Sequence, residues 1–280
     1  MKLSIFTTYT NPEERGDPWK EALSCYESIA DEIIVTGSNW PYEFKWEQIG
    51  KTFQEGLEKS TGDWSLRMDI DYFIHEKDFK KLNYLLIKYK NFPVVSFPQY
   101  QFFTSNRFDV KTRLCIAVNK KFKQDIKLNG GGDLCLVTFK NKLVDPRKVP
   151  SMEIPIYQYD SMFRTKDMIA KDRSRFARAW HKQFRTFGDR GGPDNKSAYE
   201  AWYEDIKRKY PRHINKIDFK KHPRFIKDKL LNLDKEQFGY DAFGLKENWK
   251  FNTSLYIKGK KEKFINGKLI NFNLDETLQI

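Results

Sequence analysis

Apolar positions in the first hundred residues alternate between two rhythms. Leu3 to Thr8 is a short apolar run with polar residues at its exit, which predicts an opening strand. Pro18 sits where a helix begins, and Trp19, Ala22, Leu23, Tyr26 and Ile29 recur at helical spacing. Ile33-Ile34-Val35-Thr36 is a β-branched run closed by Gly37-Ser38-Asn39, a strand and its turn. Trp46, Ile49, Phe53 and Leu57 mark a second amphipathic helix that stops near Gly62. An apolar run from Trp64 to Met68 then leads into Asp69-Ile70-Asp71 and Tyr72-Phe73-Ile74. Phe79, Leu82, Leu86 and Tyr89 predict a third helix, and Val94-Val95-Ser96-Phe97 a fourth strand. This alternation implies an α/β fold: a mainly parallel sheet flanked by helices, Rossmann-like in layout.

Past residue 98 the texture changes. Aromatic residues, Arg107, Arg113 and the run Leu114 to Val118 predict strands and loops. Asn129-Gly130-Gly131-Gly132-Asp133 reads as a flexible turn into a strand from Leu134 to Phe139. Beyond Ser161 the chain reads helical and basic, with nine Lys/Arg against three Asp/Glu over residues 161–190. A further helix is expected over 194–210, and Asn266-Gly267 near the end carries the signal of a tight hairpin. The expected division is a catalytic domain over 1–160 and a basic helical extension with a C-terminal hairpin over 161–280.

Composition adds limits. No apolar run approaches the roughly 20 residues of a membrane-spanning helix, and the N-terminal apolar stretch is too short for a signal peptide. A cytoplasmic protein is expected, with contact at the inner membrane face as a further option. Cys25, Cys115 and Cys135 show no zinc spacing and read as reduced, mostly buried thiols. The net charge of +13 calls for anionic partners: nucleotide phosphates, anionic glycans, a membrane surface or nucleic acid. It argues against a cationic substrate.

The chemistry centres on Asp69-Ile70-Asp71. In open α/β sheets ligands bind at the carboxyl ends of the strands. Three polar exits would meet there: Thr7-Thr8-Tyr9, Thr36-Gly37-Ser38 and the acidic triplet. Two carboxylates placed where a buried strand ends make a poor core unless they bind something. Oxygen ligands of this kind suit Mg²⁺ or Mn²⁺, with Asp71 as the chief ligand and Asp69 assisting, and such a cation can bridge a diphosphate.

Residues 1 to about 105 resemble the GT-A fold of family-two-like glycosyltransferases. The matching segments are Leu3 to Tyr9, Glu32 to Ser38, the helix from Gly50 to Leu57 running into Thr61-Gly62-Asp63-Trp64, and Arg67-Met68-Asp69-Ile70-Asp71. The resemblance implies transfer of a sugar from a nucleoside diphosphate donor, UDP- or GDP-linked, to a hydroxyl of a glycan or lipid-linked acceptor. It also implies that Thr7, Thr8, Tyr9, Thr36, Gly37 and Ser38 hold the nucleoside. Gln54, Arg67 and Asp69 would complete the donor site. The chain departs from the family pattern in three places: Thr36-Gly37-Ser38 carries no acid to read the base, Gln54 stands where Asn is common, and Phe53 where a basic residue is frequent.

An inverting transferase of this type needs a carboxylate base. Asp133 is the first candidate, because the glycines before it permit close approach, and Asp109 the second. The histidine ligand that many such enzymes add after the core domain has no counterpart in Ile154 to Asp160, so Gln158 or Asp160 would substitute. His75, His181, His213 and His222 show no ligand spacing and read as surface or helix residues. Phe176, Trp180 and Phe184 share one helical face, while Arg173, Arg175, Arg178, Lys182 and Arg185 occupy the others. This reads as a docking helix with a solvated basic side, or more sharply as a contact with an anionic membrane or acceptor. Arg164 or Lys166 would close over the diphosphate. Two rivals use the same features: a nucleotidyltransferase, and a non-catalytic nucleic-acid or glycan-binding protein. Nucleic acid is disfavoured because an acidic triplet without a metal repels phosphates.

Overall fold

The computed structural model describes residues 1–38, 40–128 and 136–246. The fold is α/β: one eight-stranded mixed sheet with helices packed against it. The elements follow in chain order as β1 (Leu3–Thr8), α1 (Trp19–Glu27), β2 (Glu32–Thr36), α2 (Glu47–Lys59), β3 (Trp64–Arg67), β4 (Tyr72–Phe73) and α3 (Phe79–Lys88). Next come β5 (Val94–Thr104), β6 (Arg107–Asn119), β7 (Ile126–Lys127), β8 (Thr138–Phe139), β9 (Lys142–Leu143) and β10 (Ile156–Gln158). The remainder is α4 (Lys166–Phe184), α5 (Asn195–Lys209), β11 (Asn215–Lys216), α6 (Lys227–Leu231) and α7 (Phe238–Asp241). Strand order across the main sheet is β2-β1-β3-β6-β5-β10-β4, with β11 added to β6, while β7, β8 and β9 form a small second sheet.

The expected β/α alternation accounts for the parallel half, where β1 pairs with both β2 and β3. The other half is built on a long antiparallel ribbon. The strand starting at Val94 does not end at Phe97 but runs eleven residues to Thr104 and returns as β6. Pro98 cannot donate to a ladder, yet the strand runs through it. Register shifts at Val95/Ser96 and Ser96/Pro98 absorb it. The chain past Ser161 is mainly helical, and its β11 joins the main sheet through Asn215 and Lys216. The hairpin expected near Asn266-Gly267 lies outside the described residues.

Two cores clamp the sheet. Leu3, Ile5, Tyr26, Leu66 and Leu82 belong to the one that takes α1 and α3, and Phe6, Phe53, Leu57 and Val118 to the one that takes α2. Gly56 lets α2 approach closely, because a Cβ there would stand 2.6 Å from the Phe6 ring. That contact holds α2 against β1 and fixes the wall of the cleft described next.

Candidate active site

Two of the three polar strand exits, those of β1 and β3, line one cleft, and the Thr36-Gly37-Ser38 exit is not part of its lining. A cleft of ≈ 440 Å³ opens at the carboxyl ends of β1 and β3, and Thr8, Tyr9, Arg67, Asp69, Asp71 and Gln158 all line it. The acidic triplet is held by its backbone, which leaves its carboxylates for the cleft. The Tyr26 hydroxyl, from α1, donates to the carbonyls of Asp69 (2.6 Å) and Tyr72 (3.0 Å). The Tyr159 N–H donates to the Asp71 carbonyl at 3.0 Å. Because β4 pairs antiparallel with β10, Gln158 lies opposite Tyr72, so the exit of β10 runs beside the triplet. The Gln158 amide then donates to the Asp71 carboxylate at 3.3 Å, and Asp160 joins the cleft lining.

The electrostatics of these acids diverge. Burial pushes the Asp71 carboxyl well above its ordinary range, and the charges of Asp160, Asp69 and Asp17 push it further. Burial also acts upward on Asp160, yet Arg173, Arg164 and a hydrogen bond from the Ser161 hydroxyl outweigh it, and its carboxyl titrates below the usual value. A carboxyl crowded by like charges is where a cation gains most. Among the described residues no group of three or more His, Cys, Asp or Glu is placed to hold a metal ion. One or two carboxylates are nevertheless what Mg²⁺ or Mn²⁺ takes from a protein when substrate phosphates and water supply the rest. The carboxylate pair Asp71 and Asp69 has the donor chemistry such an ion takes.

Facing the acids is an arginine-rich wall that reading the chain only partly foresaw. Arg164 is buried and bridges Asp17, from the loop after β1, and Asp172, from α4; its contact with Asp172 is 3.1 Å. Arg15 closes the ring by binding both acids. Burial would lower the Arg164 pKa, but these two carboxylates raise it instead, so its charge is secure. Arg15, Asp17 and Asp172 carried no local signal, because the ring joins residues about 150 positions apart in the chain. Lys166 sits elsewhere, its ammonium 5.2 Å from the Phe243 ring centroid and outside the cleft lining.

The third wall is aromatic. Trp40, Trp46, Phe53 and Phe176 line the cleft, and the Arg67 guanidinium stacks 4.5 Å above the Phe53 ring. Phe53 is thus an aromatic platform with the Arg67 guanidinium laid on it. Gly37, at φ 78°, makes the turn that brings Trp40 in, where a Cβ would stand 2.9 Å from Thr52 and 3.0 Å from the Trp40 ring nitrogen.

The remaining candidates are placed as follows. Thr7 and Thr36 are buried beneath the cleft, the Thr36 hydroxyl donating to backbone carbonyls of Thr7 (3.4 Å) and Thr52 (3.2 Å). Gly37 and Ser38 stand at the neighbouring turn, tied to β1 by the Thr10 hydroxyl, which donates to the Gly37 carbonyl at 2.7 Å. Gln54 points away, its amide oxygen accepting from the Leu128 N–H at 2.9 Å. Asp109 lies on β6 opposite Gln101, which is itself opposite Gln158, so it stands two strands from the cleft lining. Asp133 lies outside the described residues.

Two side-chain readings are corrected. The basic side of α4 is only partly solvated: Arg175 is buried and donates to the carbonyls of Pro41 and Tyr42, and Arg173 faces Asp160, while Arg178 and Lys182 pair with Glu43 at the surface and Arg185 is exposed. His213 and His222 are not surface residues. His222 lies between the Tyr159 hydroxyl and the Ser105 carbonyl, both at 2.7 Å, so Nε2 donates to Ser105 and Nδ1 accepts from Tyr159. His213 is buried and stacks 4.1 Å from the Phe103 ring, and His75 is buried as well. Aromatic packing overrides the polar prior for His213 and His222, and at His222 two hydrogen bonds also satisfy the ring nitrogens. Cys25 is a free, buried thiol, pushed up to about 12 by burial.

Comparison with known proteins gives modest likenesses. No protein-family model matches the chain, and no curated protein matches it in sequence. Among solved structures, S. aureus TarS is 12% identical over 75% of this chain and 44% of that one, at a TM-score of 0.33. S. aureus TarS 1-349 in complex with UDP-GlcNAc is 11% identical, with 77% and 76% covered, at 0.30. A glycosyltransferase involved in the glycosylation of the major capsid of PBCV-1 is 18% identical, with 44% and 62% covered, at 0.29. The chain thus spans less than two thirds of the first and the last of these proteins. Similarity of this degree leaves function to be read from the cleft itself.

Proposed function

We propose that the protein is a metal-dependent glycosyltransferase that moves a sugar from a nucleoside diphosphate donor to a hydroxyl acceptor. The observation that carries this reading is the meeting, in one cleft, of a crowded carboxylate pair, a wall of arginines and an aromatic platform. Diphosphate, cation and base are the three parts of the ligand such a cleft would take.

In this reading Asp71 and Asp69 hold Mg²⁺ or Mn²⁺, with Gln158 orienting the Asp71 carboxylate. The ion, when bound, supplies positive charge against the diphosphate leaving group. Tyr9, Trp40 and the Phe53–Arg67 stack would enclose the nucleoside. Charge growing on the leaving phosphates is met by Arg164, whose place between Asp17 and Asp172 holds it ready without reorganisation. The acceptor hydroxyl must lose its proton to a carboxylate across the anomeric carbon from the metal. Asp133 stays the first proposal for that base. Asp109, two strands from the cleft lining, would need the acceptor to extend along β5 and β6.

A screen of donor hydrolysis across UDP- and GDP-sugars, with and without Mn²⁺, tests the reading. Metal-dependent hydrolysis of one donor, lost in Asp71→Asn, supports it. Turnover that ignores both metal and Asp71 would reject it. Release of pyrophosphate from a nucleoside triphosphate and a sugar phosphate would favour the nucleotidyltransferase instead.

A further inference from the structure

We propose that the outer face of α3 and the adjoining turn at Lys120–Asp125 dock the protein on an anionic lipid surface, leaving the cleft open. Residues 79–90 hold Lys80, Lys81, Lys88 and Lys90 and no acid. Leu82, Leu85 and Leu86 turn inward to the core. The opposite side presents Tyr84, 65% exposed, and Ile87, 54% exposed. Lys80, Tyr84, Ile87 and Lys88 recur at i, i+4, i+7 and i+8, so two apolar side chains stand within a stripe of cations.

The stripe continues past the helix. A groove of ≈ 800 Å³ is floored by Trp64, Leu86 and Ile87, with Met1 beside them and Lys90, Lys120 and Lys121 at its rim. Met1 is 46% exposed. One acid, Asp63, also lines the groove, but its carboxylate is engaged by the Lys2 backbone N–H at 2.7 Å. Lys81 pairs with Glu153 at 3.1 Å. Lys80, Lys88, Lys90 and Lys121 pair with no carboxylate among the described residues.

The occupant follows from this chemistry. Unpaired lysines next to an anionic surface each add to attraction, and exposed Tyr, Ile and Met beside them are what a headgroup boundary accommodates. A nucleic acid would use the cations and leave Ile87 and Met1 in water. The groove also lies at the amino ends of β1 and β3, near Met1, Asp63 and Trp64, whereas the cleft opens at their carboxyl ends. Docking by this face therefore points the cleft away from the surface that holds it.

Co-sedimentation of the full chain with lipid vesicles tests the proposal. The protein is expected to bind vesicles containing phosphatidylglycerol and not those of phosphatidylcholine alone. Lys80→Glu/Lys88→Glu/Lys90→Glu should weaken partitioning on the order of 100-fold, taking about fivefold per lysine. Tyr84→Ser/Ile87→Ser should weaken it with every lysine still present. Both variants are exposed changes, so circular dichroism should be unaltered, and metal-dependent UDP binding should match the parent chain. Partitioning that survives the triple reversal overturns the proposal. So does equal binding to neutral vesicles, or binding through the lysines alone, untouched by the Tyr84/Ile87 pair, as a polyanion such as an oligonucleotide would give. Absence of both UDP and GDP binding in the parent chain, with vesicle binding intact, would instead count against the transferase reading.

Discussion

Two helices rich in basic residues, α3 and α4, behave in opposite ways in the fold. The arginines of α4 are paired within the fold. Arg175 is bonded to backbone carbonyls, Arg178 to Glu43, and Arg173 faces Asp160 at the cleft. The lysines of α3 point out, and among the described residues only Lys81 has a carboxylate partner. The difference follows the side chains. A planar guanidinium with five donors is suited to ion pairs and to carbonyl clusters at a buried edge, whereas an ammonium on a flexible stem is strongly hydrated and stays in water. Charge counts alone cannot separate an internal scaffold from an interaction surface; the arginine-to-lysine balance comes closer.

The largest contrast should come from the buried ring. Arg164→Met leaves Asp17 and Asp172 with Arg15 alone, and removing one partner of a buried ionic cluster costs about 3–5 kcal/mol, lowering Tm by roughly 10 °C in calorimetry. A change within a degree would mean that the ring is solvated and the α4 side of the contrast is wrong.

Acid titration probes the same packed side of the molecule. Burial lowers the His222 pKa to about 4 and that of His213 to about 3. Both folded values lie below the unfolded value near 6.5, so the unfolded chain binds more protons in between. Their contribution, on the order of a few kcal/mol, is therefore present above pH 6.5 and is lost as pH falls toward about 4. Urea midpoints should drop across that window, and His222→Gln should flatten the drop. A midpoint that rises on acidification would contradict the burial of both rings.

Smaller effects sharpen the edges. Arg175→Lys keeps the charge but gives up the fork that reaches two carbonyls, which should cost about 1–2 kcal/mol. Lys88→Ala on α3 should stay within about 0.5 kcal/mol of the parent. If these two substitutions proved equal, the distinction between the helices would fail.

Much of the site's frame was legible in the chain. The β/α alternation through residue 97 fixed where Thr8, Tyr9, Asp69 and Asp71 would meet, because strand exits in such a sheet share one edge. Gln158 and Asp160 were legible as a pair of alternatives, and the pairing of β4 with β10 explains why both arrive beside Asp71. The Arg15–Asp17–Arg164–Asp172 ring was not legible, since its members come from a loop and a helix with no shared periodicity. Gln54 was misleading for a local reason: its position on α2 suits a ligand, but its amide is spent on the Leu128 backbone. The histidines were hidden by composition. A ring in a basic, polar segment reads as exposed until Phe103 or Tyr159 is folded against it.

The central claim is that Asp71 and Asp69 hold a divalent cation which in turn holds a nucleoside diphosphate. Isothermal titration of UDP and of GDP, each with Mn²⁺ and with EDTA, tests it most directly. Binding of one nucleotide that requires Mn²⁺ and disappears in Asp71→Ala, while Lys88→Ala binds normally, is the predicted result. Affinity that is the same in EDTA, or unchanged by Asp71→Ala, would contradict it.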